Sequence, residues 1–153
     1  MAGDVLLDDT NVLIRSVQPL DPAYISITTA LNQLARSRAV LYYTSQNLGE
    51  FWNALTRPIS RNGFGLTPEE ANRKAKQVEA QLELLADSAH VHREWRQMLV
   101  DYSISGVQVH DARLVAAMRV HGVKRILTFN AKDFRRFLDI EAVLPQDVAA
   151  ARD

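Results

Sequence analysis

Short apolar runs that alternate with helix-patterned stretches restrict this chain more than any other feature. Residues 5–7 (Val-Leu-Leu) are one such run, ending in Asp8 and Asp9. Residues 39–43 and 125–129 are two more, and 140–144 is a fourth ahead of Pro145. Runs this short, bounded by cap and turn residues, read as buried strands. Between the first two, residues 22–36 place Ile25, Ala30, Leu31 and Leu34 at helical spacing, with Pro22 tolerated in the first turn. Thr44 or Ser45 caps a further helix that carries Leu48, Phe51, Trp52 and Leu55 and stops before Pro58. Parallel strands need such crossovers, so the predicted class is α/β. The expected architecture is a three-layer sandwich, a short central parallel sheet of four or five strands with helices on both faces.

Other boundaries follow from local chemistry. Asp9, Thr10 and Asn11 are good cap residues, and Val12, Leu13 and Ile14 begin a short helix. Asn62-Gly63 and Gly65 make 59–66 a loop. Thr67-Pro68-Glu69-Glu70 combines a capping box with proline at the first helical position, and the helix it opens is expected to reach about residue 86. A helix over 91–102 carries Trp95, Leu99 and Tyr102. Asp111 is placed to begin another, with Leu114, Val115 and Met118 on its buried face and Gly122 as its left-handed stop. No repeat, linker or low-complexity tract interrupts the pattern, so residues 1–153 read as a single domain.

Composition narrows the function classes. The absence of cysteine excludes disulfide scaffolds, thiolate zinc sites and cysteine nucleophiles, and fits a reducing cytoplasm. No stretch approaches the roughly 20 apolar residues of a membrane span, and residues 1–7 lack the basic region and long apolar run of a signal peptide. The expected location is the cytoplasm, with no membrane partner. Lys plus Arg and Asp plus Glu both number 18, so the global charge shows no basic excess for nucleic acid. Local groups do occur, Arg57, Arg61, Arg73, Lys74 and Lys76 in one and Lys124, Arg125, Lys132, Arg135 and Arg136 in the other. Solvated helix faces and loop charges account for any one of these residues better than RNA does.

Four acids fall where an open parallel sheet binds ligands, near the carboxyl ends of its strands. Asp9 follows the first strand and Glu50 lies on the helix after the second. Asp111 begins the helix that leads into the third, and Asp133 follows it. Clustered carboxylates without cysteine favour a hard cation such as Mg²⁺ or Mn²⁺, which serves phosphoryl chemistry by activating water and neutralising phosphate charge. Each acid also has a plain alternative. Asp9, Asp111 and Asp133 all stand where an N-cap belongs, and Glu50 fits a solvated helix flank. Asp8 competes with Asp9, because consecutive strand residues face opposite ways and only one can enter the site. His110 adjoins Asp111, whereas His90, His92 and His121 have no ligand spacing, and no Ser-His-Asp order is present.

Residues 6–14, Leu-Leu-Asp-Asp-Thr-Asn-Val-Leu-Ile, resemble the opening motif of the PIN-domain family. Glu50-Phe51, the block Val-His-Asp-Ala-Arg-Leu-Val-Ala-Ala at 109–117 and Leu-Thr-Phe-Asn-Ala-Lys-Asp-Phe at 127–134 resemble its later blocks, in order. The resemblance covers nearly the whole chain and is greatest to the VapC-type toxin ribonucleases of toxin–antitoxin modules. It implies a PIN-like sandwich, Mg²⁺- or Mn²⁺-dependent endonucleolytic cleavage of RNA, a homodimer and a small antitoxin partner. Carried onto this chain, it implies Asp9, Glu50, Asp111 and Asp133 as metal ligands, with Asn11 and Thr128 in support. Asn130 stands where many members carry an acid. The fourth ligand is then Asp133, or the site rests on three carboxylates. The segment 58–77 is a docking place for RNA or antitoxin, or a dimer arm.

Two other classes compete. A phosphoacceptor domain shares an N-terminal acid pair, a Thr and a nearby Lys (Asp8, Asp9, Thr128, Lys132), but it needs an acid at the end of its middle strand. The second strand here ends in Tyr42-Tyr43-Thr44-Ser45. The stronger alternative is a non-catalytic PIN-fold binding module with an impaired metal site, for which Asn130 is the one argument.

Overall fold

The structure, a computed structural model, describes residues 3–151. Its centre is a parallel sheet of β1 (Val5–Asp8), β2 (Val40–Tyr43), β3 (Glu83–Leu84), β4 (Arg125–Leu127) and β5 (Glu141–Val143), in the order β3-β2-β1-β4-β5. β1 lies in the middle, with Leu7 opposite Tyr42 on one side and Ile126 on the other. Around the sheet run α1 (Thr10–Ser16), α2 (Tyr24–Arg36), α3 (Ser45–Thr56), α4 (Pro68–Gln81), α5 (Ala89–Asp101), α6 (Gln108–His121) and α7 (Pro145–Ala150). The α/β sandwich expected from the apolar runs is present.

The period-two alternation of β1 sorts the layers. Leu7 and Ile126 pack against α5 and α6, whose buried residues include Met98, Leu114, Val115 and Met118. Leu6 and Leu127 face the opposite way, toward Val12, Ile27 and Leu34 of α1 and α2. A third cluster joins α1, α3 and α4 through Leu13, Phe51, Leu55, Ala75 and Val78. Trp52 and Trp95 are half-buried against these cores, and the Trp95 indole N–H donates to the Val109 carbonyl at 2.9 Å.

Helix ends follow their chemistry. Thr44 caps α3 in a reciprocal box with Asn47, and Thr67 caps α4 ahead of Pro68. Gly122 ends α6 at φ 71°, the left-handed stop.

Three boundaries differ from expectation. The helix opened at Thr67 stops at Gln81, not near 86, because Leu82 turns extended to bury its side chain and Glu83–Leu84 pairs with Tyr42–Tyr43. α6 begins at Gln108, so Asp111 lies in its first turn and does not cap it. Asp133 belongs to a short 3-10 turn, Ala131–Phe134, which has no side-chain cap. Short elements also appear that periodicity does not mark, a 3-10 turn at Ile59–Arg61 and the helix α7. Among the described residues no helix is long and apolar enough to cross a membrane.

Candidate active site

Asp9 is the residue at which β1 turns into α1. Its backbone N–H still extends the sheet, donating to the Leu127 carbonyl at 2.9 Å. Its side chain caps α1, with Oδ1 accepting from the Thr10 N–H at 2.8 Å. The other oxygen, Oδ2, accepts from the Thr128 hydroxyl at 2.7 Å and from the Asn11 amide at 3.5 Å. Cap and site residue are therefore one group, since capping uses only part of the carboxylate.

Thr128 follows β4 and is fully buried; its N–H bonds to the Val143 carbonyl, and its Oγ1 accepts from the Asn130 N–H at 3.0 Å. Asn11 accepts the Phe129 N–H on Oδ1 at 3.3 Å. The loop after β4 is thus tied to the loop after β1. Asn130 takes part through its backbone, and its side chain is exposed.

Glu50 lies half-buried on α3, one turn beyond Asn47. Thr10 Oγ1 donates to Glu50 Oε1 at 2.8 Å and accepts from Asn47 Nδ2 at 3.1 Å. Asn47, completely buried, also receives the Thr44 N–H and hydroxyl on its Oδ1, at 2.9 and 2.8 Å. Thr10 and Asn47 were not singled out as site residues from the sequence. Thr10 stood within the Asp-Thr-Asn motif, and Asn47 lies three residues before Glu50, on its face of the helix. Those two spacings were the available signals.

Asp111, half-buried in the first turn of α6, and the exposed Asp133 complete the group. Burial, and then the charges of Asp9, Asp133 and Glu50, push the Asp111 carboxyl up to about 7. Burial likewise lifts Asp9 above the ordinary carboxylate range. Hydrogen bonds from Thr128 and Thr10 oppose the lift, and the charges of Glu50 and Asp133 add to it. The four acids named from the sequence therefore share one electrostatic neighbourhood. Among the described residues, no three His, Cys, Asp or Glu side chains converge closely enough to grip an ion as they stand.

Asp8 faces away from this group. It is 1% exposed on the α2 side of the sheet, and burial followed by the Asp9 charge pushes it up to about 8. Three histidines make other contacts: His121 meets the Ala86 carbonyl at 2.8 Å, His92 meets Trp95 edge-on, and His110, next to Asp111, offers its backbone carbonyl to Gln46. Several cations are already engaged. Arg57 bonds to the Asn62 carbonyl, Lys74 to that of Val17, and Arg125 pairs with Asp4 and Glu141.

No family profile matches the chain, and no curated protein matches it. Solved structures do. A DNA-bound VapBC from Salmonella typhimurium superposes at TM-score 0.68 with 17% identity, over 95% of this chain and 99% of that one. VapBC2 from Rickettsia felis, bound to a promoter DNA fragment, gives 0.67 and 18%, over 92% and 98%. VapC20 from Mycobacterium tuberculosis, a toxin that cleaves the sarcin-ricin loop, gives 0.65 and 17%, over 86% and 95%. Identities this low speak to architecture, and the architecture extends over nearly the full length of each chain. The chain therefore has the PIN-like fold of the VapC toxins.

Proposed function

We propose that this chain is a metal-dependent endoribonuclease, one nuclease domain over residues 1–153, acting as the toxin of a toxin–antitoxin module. The observation that carries the reading is geometric: Asp9 and Glu50 are held in one hydrogen-bonded frame through Thr10 and Thr128, with Asp111 in the first turn of α6 and Asp133 in the turn after β4. Acids brought together at an energetic cost are relieved by protons or by a compensating cation. An all-oxygen donor set without cysteine fits Mg²⁺ or Mn²⁺. Asp9, Glu50, Asp111 and Asp133 would hold the ion, Asp133 being the exposed one and the freest to turn inward. When bound, such an ion supplies charge neutralisation for a phosphodiester and acidifies a water.

The residues of the chain do the rest. The Thr128 hydroxyl fixes the rotamer of Asp9, and the Thr10 hydroxyl holds Glu50 while Asn47 fixes Thr10. Both hydroxyls donate to carboxylates, so the acids are kept oriented without a counter-charge from Lys or Arg that would displace a cation. Full balance of basic and acidic residues leaves selection of the RNA to shape and local contacts more than to long-range attraction.

VapBC and toxin–antitoxin complexes among the similar structures support an antitoxin partner and, with the resemblance in sequence, a homodimer acting in the cytoplasm. One observation favours a second reading, a non-catalytic module: the acids do not close on a point as they stand, and Asn130 is neutral.

The test is incubation of the purified protein with structured and unstructured RNAs in Mg²⁺, Mn²⁺ or EDTA, beside Asp9→Asn and Asp111→Asn. Cleavage that requires the ion and vanishes in both variants is expected. Full activity in either variant removes the proposed site. Absence of both cleavage and Mn²⁺ binding selects the non-catalytic module.

A further inference from the structure

The least expected residue in the core is Asp8. It lies on the central strand with 1% of its surface exposed, and its Oδ1 is fully buried without a hydrogen-bond partner. Among the described residues it forms no ion pair. An unpaired buried acid is costly and is not retained for packing.

Asp8 lies at the floor of a cavity of about 220 Å³ that opens between α1, α2 and α4. The wall is rich in acceptors. Ser16 spends its hydroxyl proton on the Leu13 carbonyl at 2.7 Å, and Thr28 spends its own on the Tyr24 carbonyl at 3.0 Å, so both present lone pairs. Asn32, Gln77 and Gln81 form an exposed rim of amides that turn either end inward. Leucine and valine side chains fill the space between. A cavity with an acid at its floor, acceptors on its wall and no fixed cation is complementary to a group that only donates. Guanidinium has five N–H donors, no acceptor, a fixed charge and a planar shape able to pair both oxygens of one carboxylate. The volume is below that of a drug-sized ligand site and accommodates one such head group with its alkyl stem.

We propose that this cavity is a binding site for an alkylguanidinium group, which pairs with the Asp8 carboxylate and is steadied by Ser16 and Thr28. The site is separate from the acid group around Asp9 and does not rest on the nuclease reading, since Asp8 and Asp9 face opposite sides of the sheet. The guanidinium belongs either to a free small molecule or to an arginine side chain of a partner protein.

The test is a ¹H–¹⁵N titration of the full chain with n-butylguanidinium, with its neutral isostere n-butylurea, and with a blocked arginine peptide. n-Butylguanidinium is expected to shift the amides of Ser16, Thr28 and Gln81 saturably, and n-butylurea to bind at least tenfold more weakly. D8N and T28V should each weaken the guanidinium, D8N by tenfold or more. Tighter binding of the peptide assigns the site to a partner's arginine, and tighter binding of the free compound to a small molecule. Equal binding of n-butylurea, full affinity in D8N and T28V, or shifts confined to Glu50, Asp111 and Asp133 would each overturn the proposal. T28V keeps the test valid should D8N fail to fold.

Discussion

The Thr10 hydroxyl bridges two elements far apart in sequence, donating to Glu50 Oε1 at 2.8 Å while it accepts from Asn47. One hydroxyl therefore links the start of α1 to the middle of α3, beside the apolar contact of Leu13 with the cluster around Phe51. Thr10→Val keeps the side-chain shape and removes both bonds. The expected loss of stability is about 1–2 kcal/mol, with RNA cleavage in Mg²⁺ falling about tenfold or more as Glu50 loses its orientation. Cleavage assays beside urea denaturation check both; unchanged cleavage would show that Glu50 needs no such support.

A second prediction concerns pH. Asp8 and Asp111 are raised to about 8 and about 7 from the ordinary 3.8, and Asp9 is raised as well. Their folded-state values lie above the unfolded ones, so the folded chain holds protons that the unfolded chain gives up. The stability this confers is complete below about pH 4 and is lost as pH rises toward 7 and 8. Denaturation in EDTA should therefore show stability falling from pH 5 to 8. Asp8→Asn should flatten part of that fall, because an amide has no proton to give up on unfolding. Mg²⁺ should restore part of the loss at pH 8 by acting on Asp9 and Asp111, and a flat profile would contradict the assignment.

Phe51 is completely buried next to Glu50, in the cluster that joins α1, α3 and α4. Phe51→Ala should cost about 3–5 kcal/mol. Chemical denaturation measures it, and a cost under about 1 kcal/mol would mean that α3 repacks freely.

Gly122 separates strain from crowding. A Cβ there meets nothing within 4 Å, yet its φ is +71°. Gly122→Ala should destabilise by about 1 kcal/mol through backbone conformation alone. Gly122→Asn, which tolerates the left-handed region better, should recover part of that in a thermal melt.

The sequence disclosed what depends on neighbouring residues. Val5-Leu6-Leu7 read as a strand and Thr67-Pro68 as a helix start because each carries its own period or cap. Asp9, Glu50, Asp111 and Asp133 were recognisable as a group because acids at strand ends follow from topology. β3 was not visible, for two residues have no period, and Glu83–Leu84 becomes a strand only by pairing with Tyr42–Tyr43. The start of α6 was misplaced because Val107 adopts helical backbone without a side-chain cap, while Asp111, a strong cap type, stands a turn further on. Thr10 and Asn47 escaped notice because their role is a contact across 37 residues.

The bond between Thr128 and Asp9 spans 119 residues. At a translation rate of about 5–20 residues per second, Asp9 waits roughly 6–24 s on the ribosome before Thr128 is even joined to the chain. Through that interval the middle strand of the sheet lacks its β4 neighbour, and Asp9 lacks the hydroxyl that orients it. A fragment that ends before Thr128 therefore keeps Asp9 as the cap of α1 but leaves one edge of β1 open and the second carboxylate oxygen without its hydroxyl.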